Sequence, residues 1–419
     1  KTKHNWPRQR GFDRFFGTIE GGGSYFDPGT LTDDNTFIPP GDGFYYTDAI
    51  GEHASRFIKE NGKTQPFFIY VAFTAPHWPL HAKPEDIAKY KGRYDGGWDI
   101  LRQERYQRQV KMGLVKETWP LSPRDHDAPA WDTVKDKDWF ARRMEVYAAQ
   151  VDCLDQNVGR VVTALKESGQ FENTLILFLS DNGGCSEELG SYGPPQNLAS
   201  KQVSFKPMDK DALQDALKPP VTRDGRPVRH GVGVMPGPAD TYLSYGLPWA
   251  NVSSTPFRYF KHYVHEGGIS TPLIAHWPEG VKRRGDFEHQ PGHVIDIMAT
   301  CVEVAGATYP AEFKGQKIQP LEGRSLVPAL AGQPIKREVP LFWEHEGNRA
   351  LRLGQWKIVA KGPNGKWELY DMDADRTELH DLAVPQSQKV AELAALWEEH
   401  ARRTHAIPWS WKPLYRNEG

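Results

Sequence analysis

Two neighbouring side chains with oxygen donors, Asp181 and Asn182, stand directly before a pair of glycines. Carboxylate and amide oxygens are hard ligands, and they suit Ca²⁺ or Mg²⁺ better than a soft transition metal. The same four residues are also typical of a plain turn, because each of them favours turns for local reasons. This segment is therefore a candidate metal site whose assignment depends on its neighbours in the fold.

Two further side chains, His77 and Lys261, are candidates for contact with an anionic substrate. His77 lies between Pro76 and Pro79, which stiffen the loop and hold the imidazole in one place, although a single histidine is more often structural than catalytic. Lys261 precedes Glu266 and two glycines, which suits a rigid element that neutralises an anion. A solvated lysine is the commoner alternative for any single position.

Apolar runs predict the elements that position these side chains. Residues 67–73 and 175–179 are continuous apolar segments, too short for typical helices, and each ends shortly before a candidate site residue. Such runs indicate strands buried on both faces by helices. A further strand is predicted from residue 271 to 275, after Lys261. Ligands of open α/β sheets bind beyond the carboxyl ends of the strands, so the candidates are expected near one another.

Helical periodicity alternates with these strands along the chain. Apolar residues recur at three- and four-residue steps over residues 47–60, 138–165 and 294–304. The alternation predicts an α/β fold with a large mixed sheet sandwiched between helices. Two polar stretches without sustained period, residues 83–137 and 186–252, are predicted to be irregular excursions over the surface.

The C-terminal part has a different pattern. Short strands are predicted at residues 341–345, 350–353, 356–360 and 367–372, followed by one helix with apolar positions between residues 390 and 401. We therefore expect a larger domain over residues 1–335 and a smaller subdomain over residues 336–419, with an antiparallel sheet and a closing helix.

Composition excludes several functional classes. The chain has 419 residues, of which 38% are hydrophobic and 25% charged, as expected for one large globular domain and a smaller one. A formal net charge of −2 without a long basic run argues against nucleic acid as a partner, and no stretch approaches the length of a membrane-spanning helix. The three cysteines are too few and too scattered for a disulfide framework or a zinc site, so they do not fix the compartment.

Five short blocks in a fixed order extend this interpretation. They are Gly-Phe-Asp-Arg-Phe-Phe-Gly at residues 11–17, Ala-Pro-His at 75–77, Ser-Asp-Asn-Gly-Gly at 180–184, Thr-Pro-Phe-Arg at 255–258 with Lys261 and Glu-Gly-Gly at 266–268, and Gly-Arg-Ser-Leu at 323–326. In this order the blocks resemble the type I sulfatases of the alkaline phosphatase superfamily, close to bacterial arylsulfatases. The resemblance spans nearly the whole chain.

The resemblance implies specific roles for the four candidates. Asp181 and Asn182 would be ligands of Ca²⁺, with Mg²⁺ as the alternative, His77 would contact the sulfate group, and Lys261 would bind the sulfate and the bridging oxygen. The reaction would be hydrolysis of an aryl or carbohydrate sulfate monoester. A small-molecule or glycan sulfate ester would be the substrate, and a periplasmic or secreted location is the family's usual one.

The family's nucleophile is a formylglycine made from a Cys or Ser in a Cys/Ser-x-Pro-x-Arg motif. Residues 254–258 match this motif formally, but they occupy the family's Thr-Pro-Phe-Arg block, and we interpret the match as a coincidence. The resemblance therefore predicts that the chain is truncated at its N-terminus and that a formylglycine-generating enzyme matures the nucleophile in the missing segment. Such a fragment alone would be inactive and would bind metal poorly.

Two other functions are compatible with the same residues. A phosphatase or phosphodiesterase of the superfamily would use the metal, the histidine and the lysine in the same way. A relative without a nucleophile would bind sulfated glycans and not cleave them.

Overall fold

The computed structural model describes residues 2–62, 65–189, 194–198 and 205–409. The chain divides into two compact units. The first comprises Lys1–Leu101, His126–Glu172 and Cys185–Val252, and the second comprises Arg102–Asp125, Asn173–Gly184 and Ser253–Gly419. The domain boundary at residue 335 stays a prediction.

Helices and short strands alternate along the chain. The helices are α1 (Tyr46–Asn61), α2 (Pro84–Ala88), α3 (Gly97–Lys111), α4 (Lys137–Glu167), α5 (Leu247–Ser253), α6 (Glu266–Ile269), α7 (Val294–Val304), α8 (Val327–Leu330) and α9 (Ser387–Arg403). The strands are β1 (Phe16–Thr18), β2 (Leu31–Asp33), β3 (Thr36–Phe37), β4 (Ile176–Leu179), β5 (Gln196–Asn197), β6 (Arg229–His230), β7 (Leu273–His276), β8 (Glu312–Phe313), β9 (Gln316–Lys317), β10 (Leu341–His345), β11 (Asn348–Leu353), β12 (Trp356–Ala360) and β13 (Glu368–Asp371). No helix in these described ranges combines the length and apolar character needed to cross a membrane.

The packing of α1 on α4 forms the core of the first unit. Ile50, Ala54 and Ile58 recur at four-residue steps on α1 and are buried, as the helical period predicts. Gly51 allows a close approach of the two helices, because a Cβ there would lie 2.2 Å from Asn157 Oδ1. The predicted helices over residues 47–60 and 138–165 are both confirmed.

The expected strand at residues 67–73 is not found. None of these residues joins a strand of the described sheets, and half-buried residues alternate with exposed ones. Phe68 and Tyr70 are 63% and 74% exposed. The prediction of a buried strand was wrong. An apolar run is buried on both faces only where other elements cover both faces, and among the described residues one face of this segment has no cover.

The stretch predicted to be irregular at residues 83–137 contains helices α2 and α3. On α3, Trp98 packs edge-on against Trp131, Phe140 and Trp249 at centroid distances of 4.6, 5.4 and 5.3 Å. The remaining residues of α3 are mostly polar, so the helix has no sustained apolar period. This is why the sequence pattern did not reveal it.

The second unit contains the predicted C-terminal sheet. Strands β10 to β13 form one antiparallel sheet in sequential order, and the turn between β11 and β12 pairs Leu353 with Trp356. Helix α9 buries Leu393, Trp397 and Ala401 in a core shared with this sheet. The four predicted strands and the closing helix are confirmed.

A smaller sheet carries the candidate metal segment. Strand β4 pairs antiparallel with β7, and the register aligns Leu179 with Leu273. The predicted strand at residues 175–179 therefore exists, but Phe178 is 41% exposed and does not have the expected burial on both faces. Helices and small antiparallel sheets agree with the predicted α/β class. The largest sheet among the described residues has four strands.

Candidate functional site

The segment after β4 is fixed by its backbone. Gly183 N–H donates to the carbonyl of Gly268 at 2.9 Å, and Gly184 N–H donates to Ser254 Oγ at 3.2 Å. The hydroxyl of Thr271, just before β7, donates to the carbonyl of Ser180 at 2.8 Å. These bonds hold the whole turn in one conformation, which a site built on a loop requires.

The two predicted metal ligands lie at the tip of this turn. Asp181 is exposed, and its carboxylate has no hydrogen-bond or ion-pair partner among the residues that the structure describes. Asn182 is half-buried, and its amide nitrogen donates to the carbonyl of Gly183 at 2.9 Å, which leaves Oδ1 as the acceptor. Two consecutive residues therefore offer one carboxylate and one amide oxygen, the ligand types that hard divalent cations prefer.

Glycine is required where this turn meets the segment of α6. A Cβ on Gly183 would lie 1.8 Å from the carbonyl oxygen of Gly267, and a Cβ on Gly268 would lie 1.9 Å from the carbonyl oxygen of Tyr263. Real Cβ atoms do not approach oxygen so closely, so a side chain at either position would force the backbone to move. Gly183 allows the turn to contact the α6 segment, whereas Gly268 allows that segment to pack on the backbone of Tyr263.

Lys261 is connected to the same turn. Its backbone N–H donates to the carbonyl of Gly184 at 2.8 Å, and the side chain is half-buried. The structure thus places Asp181, Asn182 and Lys261 in one compact unit and joins their segments by backbone hydrogen bonds. The backbone of Lys261 is therefore held next to the turn that carries the two candidate ligands.

Glu266 has a structural role that the sequence did not reveal. It is buried, and Lys357 Nζ bridges Glu266 Oε1 and Glu378 Oε1 at 2.8 Å each. Arg376 Nε lies 3.3 Å from Glu266 Oε2. Burial alone would raise the pKa of Glu266, but Lys357 and Arg376 outweigh it and lower the pKa to about 2. The acid therefore anchors the α6 segment as a buried carboxylate.

No local signal could have identified these partners. Lys357 is 91 residues from Glu266 in the sequence and 21 residues from Glu378. Each residue alone is an ordinary charged position. Only the fold brings them together, so they could not be predicted from spacing.

The formal Ser-x-Pro-x-Arg match is part of the structural framework. Ser254 is buried, and its hydroxyl accepts the hydrogen bond from Gly184. Arg258 donates to the carbonyl of Glu378 at 2.5 Å and to the hydroxyl of Tyr370 at 3.1 Å. These contacts support the interpretation of the match as a coincidence, because both end residues are used to hold the fold.

His77 lies in the first unit. Its Nδ1 is 2.8 Å from the carbonyl oxygen of Trp78, which can only accept, so Nδ1 carries the proton. The backbone is held as well, because His77 N–H donates to the carbonyl of Thr74 at 2.9 Å and the hydroxyl of Tyr25 donates to the carbonyl of His77 at 2.8 Å. The ring is therefore oriented, and Nε2 is the nitrogen able to exchange a further proton.

Two residues that the sequence did not single out stand beside His77. Ligand atoms of His77, Cys185 and Glu187 all lie within 4.8 Å of one another. Trp78 Nε1 donates to Glu187 Oε2 at 2.5 Å. Glu187 follows the Asp-Asn-Gly-Gly block by a few residues, and that proximity was the only available signal. The position of His77 relative to Asp181, Asn182 and Lys261 stays a prediction.

His81, four residues further along, is a structural histidine. It is buried; its Nε2 donates to the carbonyl of Thr241 at 2.6 Å, and its Nδ1 accepts from Tyr25 N–H at 3.3 Å. Burial lowers its pKa from 6.5 to about 4. The imidazole is therefore neutral with both nitrogens used.

Family models match most of the chain. A model described as Sulfatase matches residues 1–307, and one described as N-sulphoglucosamine sulphohydrolase, C-terminal, matches residues 256–404. An uncharacterized sulfatase of Schizosaccharomyces pombe is 32% identical over 433 residues, which cover 97% of this chain and 73% of that protein. An arylsulfatase of Klebsiella aerogenes is 30% identical, over 76% of this chain and 66% of that protein.

Solved structures show the same fold. The crystal structure of Ps i-CgsB matches with a TM-score of 0.60 at 22% identity, over 98% of this chain and 74% of that one. The structure of BT4656 in complex with its substrate D-glucosamine-2-N,6-O-disulfate matches with a TM-score of 0.57 at 18% identity, over 95% of this chain and 77% of that one. Together, the family models, the relatives and the solved structures place this chain among the type I sulfatases of the alkaline phosphatase superfamily, a family of sulfuric ester hydrolases.

Proposed function

We propose that this chain binds a sulfate monoester at the turn of Asp181 and Asn182, beside Lys261, and takes part in its hydrolysis. The observation that carries the proposal is the set of backbone hydrogen bonds that joins Gly183 and Gly184 to the segments of Gly268 and Lys261. It brings hard oxygen ligands and a lysine into one unit, which is what a site for an anionic sulfate ester needs.

The two oxygen ligands fit a calcium ion, with magnesium as the alternative. The Asp181 carboxylate has no hydrogen-bond or ion-pair partner among the described residues, and Asn182 presents an amide oxygen. A bound cation would supply charge that stabilises the sulfuryl oxygens. Since Ca²⁺ takes about six to eight oxygens, Asp181 and Asn182 fill only part of the coordination shell, and we infer that other ligands complete it.

Lys261 and His77 supply the remaining charge stabilisation in this proposal. Cleavage of a sulfate monoester develops negative charge on the bridging oxygen as the bond to sulfur breaks. The Lys261 ammonium would bind a sulfuryl oxygen and the bridging oxygen. His77, with Nδ1–H held by the Trp78 carbonyl, would use Nε2 to hydrogen-bond the ester or to protonate the leaving oxygen.

We further propose that the nucleophile is a formylglycine located outside the printed residues. Ser254, the formal match to the maturation motif, is buried and hydrogen-bonded to the backbone of the metal turn. A formylglycine-generating enzyme is then a required partner during maturation. The relatives' names favour a carbohydrate or aryl sulfate as substrate, since they include an arylsulfatase and an N-acetylglucosamine-6-O-sulfatase of Bacteroides thetaiotaomicron.

Competing ester substrates test this proposal. The complete gene is expressed with a formylglycine-generating enzyme, and kcat/KM is measured for 4-nitrophenyl sulfate and 4-nitrophenyl phosphate. We expect a preference for sulfate of about 100-fold, which corresponds to roughly 3 kcal/mol of transition-state discrimination. A preference for phosphate would assign the chain to the phosphatase alternative. Binding of sulfated glycans without turnover of either ester would leave only the binding alternative.

A further inference from the structure

The second unit holds a cluster of two imidazoles and one carboxylate that the proposed reaction does not use. His262 Nδ1 lies 3.3 Å from His345 Nε2 and 3.5 Å from Glu346 Oε2, and His345 Nε2 lies 4.0 Å from the same oxygen. Three potential ligand atoms therefore form a small triangle. His262 directly follows Lys261 in the sequence.

Two segments that are distant in the sequence carry the three ligand residues. His345 ends β10 and pairs with Asn348 at the start of β11, so Glu346 and Gly347 form the two-residue turn between them. Both turn residues have positive φ, 52° and 87°, which is the pattern of a type I′ turn. Asn or Asp is usual at the first position, so this turn presents a longer carboxylate where a short side chain is the norm.

The second segment is tied to the first. Asn348 Nδ2 donates to the carbonyl of His262 at 2.9 Å, and Gly347 N–H donates to Glu344 Oε1 at 2.9 Å. These bonds fix the backbone beneath His262 and beneath Glu346. The backbone segments that carry His262 and Glu346 are thus held in place by hydrogen bonds.

The carboxylate is incompletely satisfied by protein groups. Glu346 Oε2 is buried and receives no hydrogen bond of standard geometry from the described residues, although the imidazole of His262 is nearby. The imidazole nitrogens of His262 and His345 face each other, and in the absence of a cation one proton between them satisfies both. Two imidazole nitrogens thus lie within about 4 Å of a buried carboxylate oxygen. A cation would complete this arrangement.

We propose that His262, His345 and Glu346 bind a divalent transition metal of the Zn²⁺ type. Zinc bonds of about 2.0–2.2 Å to nitrogen and oxygen place tetrahedral ligand atoms roughly 3.3–3.5 Å apart. Two of the three separations, 3.3 and 3.5 Å, already have this length, and the third, 4.0 Å, is within reach of a side-chain adjustment. Two imidazoles disfavour Ca²⁺, so this site differs in chemistry from the turn of Asp181.

Three protein ligands leave a fourth position for water or for an oxygen of a bound molecule. The ion would connect the residue after Lys261 to the hairpin between β10 and β11, and it would stabilise the second unit because it binds only the folded arrangement. The ion thus cross-links the Lys261 segment to this hairpin and restricts its movement.

Titration with metal tests the proposal directly. The chain carrying Cys185→Ser, which removes the thiol near His77, is dialysed against chelator and titrated with ZnCl₂ by calorimetry in excess Ca²⁺. Binding of Co²⁺ is followed in parallel by its visible absorption. We expect one high-affinity ion per chain, and His345→Ala or Glu346→Gln should weaken it by about tenfold or more.

His380→Ala is the matched control, because His380 is an exposed histidine of the same unit outside the cluster. It should bind Zn²⁺ as tightly as the parent. Circular dichroism shows whether each variant is folded, and Glu346→Gln preserves size and turn. Equal affinity in the parent, His345→Ala and Glu346→Gln, or no high-affinity ion in the parent, would overturn the proposal. These results do not depend on sulfate ester turnover, so they are separate from the test of the proposed function.

Discussion

At the residue scale, hydrogen bonding distinguishes side chains that hold the fold from those suited to chemistry. His81 uses both ring nitrogens inside the first unit to hold the fold, whereas His77 is oriented through Nδ1 by the carbonyl of Trp78 and stands beside Cys185 and Glu187. Asp181 has no partner among the described residues, while Glu266 is enclosed by cations. Residue type alone does not make these distinctions, because the sequence shows two histidines and two acids in similar blocks.

Replacement of Lys261 tests its proposed contact with the ester. In the full-length matured protein, Lys261→Ala should lower kcat/KM for 4-nitrophenyl sulfate by about 100- to 1,000-fold, because one fixed charge at the developing anion is lost. The thermal midpoint should change little, since a half-buried lysine side chain is removed without opening a core cavity. Lys282→Ala, an exposed lysine of the same unit, is the control. Full activity in Lys261→Ala would remove this residue from the site.

The buried imidazole of His81 predicts a pH dependence of stability. Its folded pKa of about 4 lies below the ordinary value of 6.5, so the unfolded chain binds more protons between these values. The neutral imidazole therefore contributes at most roughly 3 kcal/mol to the free energy of unfolding. This contribution is complete above about pH 6.5 and is lost as the pH falls toward 4.

His81→Gln should reduce the fall in the free energy of unfolding between pH 6.5 and 4.5, because glutamine does not titrate. Urea denaturation at several pH values measures this change. His53, whose pKa is also lowered to about 4 by burial and by Arg56, retains its own contribution in the variant. His380→Gln, at an exposed histidine, is the control. Parallel curves for wild type and His81→Gln would show that His81 does not carry this effect.

At the element scale, the site depends on segments that touch through their backbones. Strand β4 ends in the turn of Asp181, and this turn contacts the α6 segment so closely that only glycine fits at Gly183. The α6 segment is fixed in turn by the buried Lys357 bridge to Glu266 and Glu378. The position of the Asp181 turn thus rests on a series of contacts that reaches the C-terminal sheet through β12.

Gly183→Ala should displace the turn, because the new Cβ would lie 1.8 Å from the Gly267 carbonyl oxygen. We expect a loss of about 1–3 kcal/mol in the free energy of unfolding, together with weaker Ca²⁺-dependent stabilisation. Gly159→Ala on α4 is the control, since its Cβ would meet no atom within 4 Å. That variant should be neutral or gain up to about 1 kcal/mol. Unchanged stability and calcium response in Gly183→Ala would contradict the proposed contact.

Lys357→Met should destabilise the second unit more strongly than any surface change. It leaves Glu266 and Glu378 buried without their shared cation, which typically costs about 3–5 kcal/mol. Lys389→Met, which breaks only the exposed Lys389–Glu392 pair, should cost less than about 1 kcal/mol. Chemical denaturation monitored by tryptophan fluorescence compares them. Similar midpoints for both variants would show that the buried bridge does not anchor the unit.

At the scale of the whole molecule, sequence reasoning succeeded where the pattern is local. The C-terminal sheet and α9 were predicted from alternation and helical period, and α1, α4 and α7 were predicted from their apolar faces. It failed where burial depends on distant segments. Residues 67–73 and the exposed Phe178 look like core from sequence alone, and α3 looks like a loop because Trp98 is its main apolar contact.

The candidate site follows the same division. Asp181, Asn182 and Lys261 were proposed because they belong to ordered sequence blocks; the structure places them in one unit, and their role in a site stays a prediction. Lys357, Glu378 and the cluster of His262, His345 and Glu346 were not recognisable, since their members come from separate segments or from a turn without a known pattern. Long-range pairing is set by the fold and leaves no spacing to detect.

The central claim is that His77 and Lys261 converge on one sulfate group beside a cation held by Asp181 and Asn182. A crystal structure of the full-length protein soaked with Ca²⁺ and sulfate tests this claim most directly. We expect the ion about 2.3–2.6 Å from an oxygen of Asp181 and of Asn182, with sulfate about 3 Å from Lys261 Nζ and from His77 Nε2. Sulfate bound elsewhere, or His77 far from the ion and the sulfate, would contradict the claim.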